Sequence, residues 1–342
     1  MALLYIDGFD HQNNTTDLIA NFGPFEWRAQ SAVAFVAGRY GGRAINLGSY
    51  GTLTGVLTAS LAEAFIGYAL YLPATIPHQL VVWDSALQSA STPQVTINFD
   101  NNNGVISVYR GTSTLLGATG NNAFTSAAWF YFEADIKISA TVGVVNIMIN
   151  GVSVLNLTGL NTQAGTNSTF DTVQPYAAVG NNNASAIDDF YICDTTTSSF
   201  NTFVGPTRVF TAFPVAASGS PQYTPAASTN VSQVQETAMD SDTTYNYDAT
   251  VGHKDLFTIT TMPTGLVPIA LQVTGAYRQD SAGTRAMASQ ILSNATELAG
   301  TSNVLNGIYT YQHDVYIVDP NGGIALTAAN VNAMKIGYAT TA

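Results

Sequence analysis

The chain has 342 residues, of which 46% are hydrophobic and only 9% charged, with a formal net charge of −12. The apolar content excludes a disordered chain, and the acidic balance without any basic run excludes nucleic acid and anionic membranes as partners. One cysteine, Cys193, excludes an intrachain disulfide.

In chain order, "MALLYIDGFD" holds a short apolar run with no leading basic residue. It reads as a first strand rather than a signal peptide, so synthesis in the cytoplasm is expected. "AFIGYALYL" (64–72) and "HQLVVWDS" (78–85) are nearly continuous apolar runs, the pattern of strands covered on both sides. "PQVTINFDNNNGVISVYRG" (93–111) is a hairpin, alternating at Val95, Ile97 and Phe99, then at Ile106 and Val108. Its Asn-Gly supplies the positive φ a tight turn needs. "AAWFYFEADIKIS" followed by "VGVVNIMINGVSV" repeats the scheme around a second Asn-Gly at 150–151, and "SAIDDFYICD" (185–194) closes the region. Cys193 sits in this apolar strand and reads as a small buried hydrophobe.

Residues 201–225 lose the alternation and gain Pro, Ser and Ala, which predicts a connector with a short strand at 207–213. Beyond it "KDLFTITTM", "VPIALQVTGAYR", "RAMASQILS" and "IYTYQHDVYIVDP" predict a second β-rich region over 226–342. Thr327 starts one short helical turn before a last strand. No segment reaches membrane-span length, and no fixed-period repeat occurs. The fold class is all-β.

"DGFD" (7–10), Trp27, "GRYGGRAINL" (38–47), the "VVW" strand, the two Asn-Gly hairpins and "IDDFYICD" follow one another in the order of a concanavalin A-like (laminin G-type) jelly roll. The resemblance covers roughly residues 1–200 and implies a β-sandwich there, followed by a smaller β-sandwich. "GPTRVF", "SGSPQYTPAASTN", "MDSDTTYNYDATVGHKDLF", "IALQVTGAYRQDSAGTRAM", "DVYIVDPNGG" and "VNAMKIGY" together resemble the C-terminal half of structural proteins of tailed bacteriophages. That resemblance implies a non-enzymatic virion component exposed as tail fibre, baseplate or surface-attached protein. Its partners would be other virion proteins and copies of itself. The low surface charge suits a homo-oligomer, since buried interfaces are depleted of charge.

Glu133, Asp135 and Lys137 share one face of a strand, as in the Glu-x-Asp-x-Glu strand of β-glucanases. Lysine in the third position can be neither nucleophile nor acid, so a half-exposed scaffold strand with charge on its outer face is expected. Asp7 and Asp10 on the first strand, and Asp188 and Asp189 on the last, form a physically reasonable oxygen set for Ca²⁺ in such a sandwich. The favoured alternative has Asp188 bonding backbone amides and Asp189 facing water. "GRYGGRA" lacks the Lys-Ser/Thr of a phosphate loop and reads as a turn. The four histidines have no zinc spacing, and no nucleophile elbow occurs.

A second class of function is an adhesin that recognises a host surface glycan, with display in many copies raising its avidity. Its candidate contacts are Tyr109, Tyr131 and Asn101, Asn102 and Asn103. Trp27, Trp83 and Trp129 fit a core better than a sugar platform.

Overall fold

A computed structural model describes residues 3–12, 21–73, 77–84, 92–177, 185–237 and 239–342. It separates into two compact units. The first takes Pro24–Val209 with the opening strand, and the second takes Phe210–Ala342 with short pieces of the N-terminal segment.

The first unit is a jelly-roll-like β-sandwich made from one continuous hydrogen-bonded ladder folded over on itself. One layer runs Val152–Leu160, Gly143–Ile149, Trp129–Lys137, Glu63–Tyr71, Ser185–Asp194, with Leu3–Asp7 also paired to the last. The other runs Thr114–Ala118, Val105–Arg110, Thr92–Asp100, His78–Asp84, Phe170–Ala177. Arg43–Leu61 belongs to both, pairing Ile45–Leu47 with Ser185–Ile187 and its far half with Phe170–Ala177. Phe25–Ala37 follows it antiparallel along its length.

The corner between the layers lies where this register breaks. Ser31 pairs with Thr52 and Val33 with Leu47, so residues 48–51 bulge opposite Ala32. A Cβ on Gly48 or Gly51 would fall 2.6–2.8 Å from backbone atoms there, which is why the bend carries glycines.

Alternation explains the core. Phe132, Ala134, Ile136, Val145 and Ile147 from one layer meet Leu80, Val82, Ile97, Phe99, Ile106 and Val108 from the other. Phe99 and Phe132 cross edge to face at 5.0 Å. An aromatic cluster of Tyr5, Phe25, Trp27 and Phe190 fills one end, with Trp27 4.8 Å from Phe190 and 5.0 Å from Phe25. Each such side chain contributes about 1.5–3 kcal/mol on burial. Within this apolar interior lies one polar chain: Tyr68 OH to His78 Nε2 at 3.0 Å, and His78 Nδ1 to Ser185 Oγ at 3.2 Å. Burial holds His78 neutral by pushing its pKa down to about 3.

The second unit stacks a six-stranded sheet against Leu271–Tyr277 and Thr310–Tyr316, to which Asn21–Phe22 adds a parallel strand. Val273, Ile291, Leu326, Val331 and Met334 form its core. Helix Ala328–Ala333 starts in a reciprocal cap, Thr327 and Asn330 each bonding the other's backbone N–H. The short strand expected at 207–213 lies instead at Pro214–Ala217. Residues 200–209 have no regular structure, because their polar groups are bonded to side chains of the first unit.

Candidate functional site

The strand that resembles a glucanase motif is covered on both faces. Glu133 is 0% exposed, and its Oε1 accepts from Tyr191 OH at 2.6 Å and from the Gly205 amide at 2.7 Å. Asp135 is also buried, with Oδ2 accepting from Asn146 Nδ2 at 3.1 Å. Burial, with Glu63 nearby, pushes its pKa up to about 6. Lys137 pairs with Glu63 at 3.1 Å. The expected half-exposed face is therefore wrong for Glu133 and Asp135: residues 200–209 lie across it as a strap. The Val204 amide donates to Tyr191 OH, and Phe203 packs edge-on to Phe65 at 5.3 Å.

Tyr131 lies under the same strap. It is 0% exposed, and its OH donates to the Asp189 carbonyl at 3.0 Å and meets Thr207 Oγ1 at 2.6 Å. It offers no ring to a sugar, which corrects its candidacy as a glycan contact.

The four aspartates divide. Asp7 accepts from Tyr5 OH, the Phe9 amide and Trp27 Nε1 inside the aromatic cluster. Asp10, Asp188 and Asp189 gather around the 38–43 turn. Asp10 accepts from the Arg43 amide at 2.7 Å, and Asp188 from the amides of Arg39 and Asp189 at 2.8 Å each. Asp189 accepts from the Val209 amide at 2.8 Å and lies 3.5 Å from Arg39 Nη1. It is 2% exposed, so it does not face water as expected. Burial and the adjacent Asp189 push Asp188 up to about 8, and burial pushes Asp189 up to about 6. These oxygens already accept from N–H donors, and the Arg39 guanidinium lies against Asp189. The set does not fit Ca²⁺, and among the described residues no group of three or more His, Cys, Asp or Glu side chains is arranged to hold a metal.

Asn101 is buried and props the hairpin by donating to the Pro73 carbonyl at 2.9 Å. Asn102 and Asn103 are exposed at the tip, with the Asn102 amide bonded to Asp100 and Asn103 Oδ1 accepting from the Val105 amide. Tyr109 stands at the hairpin's open end, paired with Thr96, so the structure does not bring it together with those asparagines.

It brings Tyr109 to something else. The outer face of its layer carries a cross-strand row: Thr52 opposite Tyr176, Tyr176 opposite Gln79, Gln79 opposite Asn98, Asn98 opposite Ser107. Beside it runs Gln174, Val81, Thr96 and Tyr109. Five strands at ~4.8 Å spacing give the first row a span of roughly 19 Å. Gln174 Nε2 donates to Thr54 Oγ1 at 2.9 Å, and Gln79 Nε2 reaches Asn98 Oδ1 at 3.5 Å. Tyr176, Gln79, Asn98, Ser107, Gln174 and Tyr109 are all partly exposed. Tyr50 is 58% exposed and close enough to Tyr176 to add to the burial that raises its phenol pKa. Neither row contains a carboxylate, an amine, a guanidinium or an imidazole. Gln79, Asn98, Ser107, Gln174 and Tyr176 were not singled out in the sequence. The hairpin alternation signals Asn98 and Ser107, whereas nothing in the sequence marks Gln174 and Tyr176.

No protein-family model matches the chain, and no curated protein matches it. Solved structures resemble part of the chain at low similarity. A galectin-like protein of unknown function from Bacillus subtilis is 7% identical, with 57% of this chain and 96% of that chain covered and a TM-score of 0.39. The carbohydrate binding module CBM66 from Bacillus subtilis is 7% identical over 51% of this chain and 97% of that chain, with a TM-score of 0.34. Domain 4 of AbnA, a GH43 extracellular arabinanase from Geobacillus stearothermophilus in complex with arabinotriose, is 15% identical over 56% and 92%, with a TM-score of 0.35. At these scores, what those proteins bind is a property of those proteins.

Proposed function

We propose that the first unit is a non-catalytic glycan-binding module whose site is the face bearing Tyr176, Gln79, Asn98 and Ser107. The observation that carries this reading is the uncharged row of carboxamides and hydroxyls flanked by Tyr50, Tyr176 and Tyr109. Tyrosine rings offer flat apolar faces to the C–H side of a pyranose. Carboxamides donate and accept at once, as vicinal hydroxyls require. A surface roughly 19 Å long suits an oligosaccharide segment rather than a single sugar, and its lack of charge suits a neutral one. Catalysis is absent from the reading because the strand that pairs Glu133 with Asp135 keeps both carboxyl groups buried, away from substrate.

Tyr176→Ala is expected to weaken binding of a neutral host-surface oligosaccharide by about tenfold, loss of one stacking ring being worth ~1–1.5 kcal/mol. Asn102→Ala at the hairpin tip is expected to leave it unchanged. Equal affinity for Tyr176→Ala and the parent chain, read by calorimetric titration, would remove this face as the site.

We further propose that the module is displayed in many copies on a tailed-phage virion. The resemblance of residues 205–338 to virion proteins supports this, and copies on one particle convert weak sugar affinity into avidity. Immunogold labelling of purified particles is expected to decorate the capsid, tail or fibres. Unlabelled particles with the protein free in solution would leave the glycan-binding module and remove the virion.

A further inference from the structure

The second unit holds a cleft of its own, with a cavity of about 390 Å³. It is lined by the end of Ala286–Ser293, turn residue Asn294, the 319–324 turn, the short helix, and Lys335 at the start of the last strand. Leu292 and Lys335 are cross-strand partners, so both stand on the sheet face that floors it.

Much of the lining is already committed. Asp319 is 2% exposed and holds its own turn, Oδ1 accepting from the Asn321 amide at 2.8 Å. Asn330 serves the helix cap, with Oδ1 accepting from the Thr327 amide at 2.7 Å. Other groups remain for a ligand. Lys335 has no ion-pair partner among the described residues, whereas Lys137 and Lys254 each have one. Asn321 accepts from Thr296 Oγ1 at 3.2 Å through its Oδ1, which leaves its NH₂ as a donor. Asn294 is exposed on a left-handed turn with φ 53°, and Ile324 presents an apolar side chain at 56% exposure.

We propose that this cleft binds a carboxylate-bearing sugar of the hexuronate type. The carboxylate pairs with Lys335, ring hydroxyls bond to the carboxamides of Asn294 and Asn321, and the apolar ring face rests on Ile324. A half-buried lysine with no counter-ion among the described residues favours an anionic ligand over a neutral one. The chain's net charge of −12 repels anions elsewhere, so binding depends on direct contact with Lys335 and weakens with salt. The site belongs to the second unit, and the proposal does not rest on the neutral-glycan reading of the first.

The test is calorimetric titration of the full chain with digalacturonate and, as control, the neutral galactose disaccharide of the same linkage. The acidic disaccharide is expected to bind, to lose about tenfold in affinity in Lys335→Gln, and to be unaffected by Tyr176→Ala. Asn294→Gly keeps the left-handed turn and is expected to weaken binding several-fold without lowering the melting temperature. No binding by the parent chain, equal binding of the neutral disaccharide, or affinity that survives Lys335→Gln would each overturn the proposal.

Discussion

Replacing Glu133 with alanine is expected to cost about 3 kcal/mol of stability and to expose residues 200–209 to protease. The carboxylate is the acceptor for Tyr191 OH, beneath the strap, and for the Gly205 amide, within it. Alanine leaves two covered donors without a partner, each worth about 1–3 kcal/mol. It also removes the contact that sets the middle of the strap on the sheet, while Thr207 and Val209 remain tied to Tyr131 and Asp189. The loss is therefore local first: cleavage near 200–206 should quicken before the denaturation midpoint has moved far. Glu133→Gln keeps one oxygen acceptor and is expected to lose less than half as much. The same pair of variants separates scaffold from catalyst. If the parent chain releases reducing ends from a polysaccharide and Glu133→Gln abolishes this with its fold and strap intact, Glu133 is a catalytic group and the non-catalytic reading fails.

Glu133 also shows where sequence reading stops. Alternation placed it opposite Phe132 and Ala134 correctly, but whether that second face meets water depends on chain some 70 residues away. The 200–209 segment has no periodicity to reveal it. Its backbone amides are spent on Glu133, Tyr191 and Asp189, so it forms no strand. The strands themselves were legible wherever apolar residues alternate around an Asn-Gly turn, as at 92–110 and 129–149. They were not legible where small and polar residues dominate. Phe25–Ala37 and Arg43–Leu61, the two longest strands, are rich in Ala, Ser, Thr and Gly, and a corner interrupts their pairing. Phe170–Ala177 is broken in pattern by Pro175 and by a register shift after Phe170. That strand supplies Gln174 and Tyr176, so the central residues of the proposed glycan face lay in an element the sequence did not announce. The strand position of Tyr109 was legible because its hairpin was.

Stability is expected to peak on the acid side of neutral and to decline between about pH 6.5 and 8, where Asp188 sets the slope. In the folded chain burial and the neighbouring Asp189 keep Asp188 protonated up to about pH 8, whereas an unfolded aspartate releases its proton near its ordinary value of 3.8. Across that interval the native state binds the extra proton, so stability falls as pH rises. Asp135 and Asp189, each pushed up to about 6, act in the same sense below that pH. His78 acts in the opposite one. Its folded pKa of about 3 lies below the unfolded 6.5, so its contribution is lost as pH falls from 6.5 towards 3. Above 6.5 His78 is neutral in both states and drops out. The decline there belongs to Asp188, and Asp188→Asn, neutral at every pH, is expected to flatten it. Denaturant midpoints of the two proteins at about pH 6.5 and about pH 8 check this directly. A parent chain that is equally stable at both values would mean Asp188 is already ionised at neutral pH. Its carboxylate would then be held by the backbone amides of Arg39 and Asp189, with the Arg39 guanidinium against Asp189 beside it.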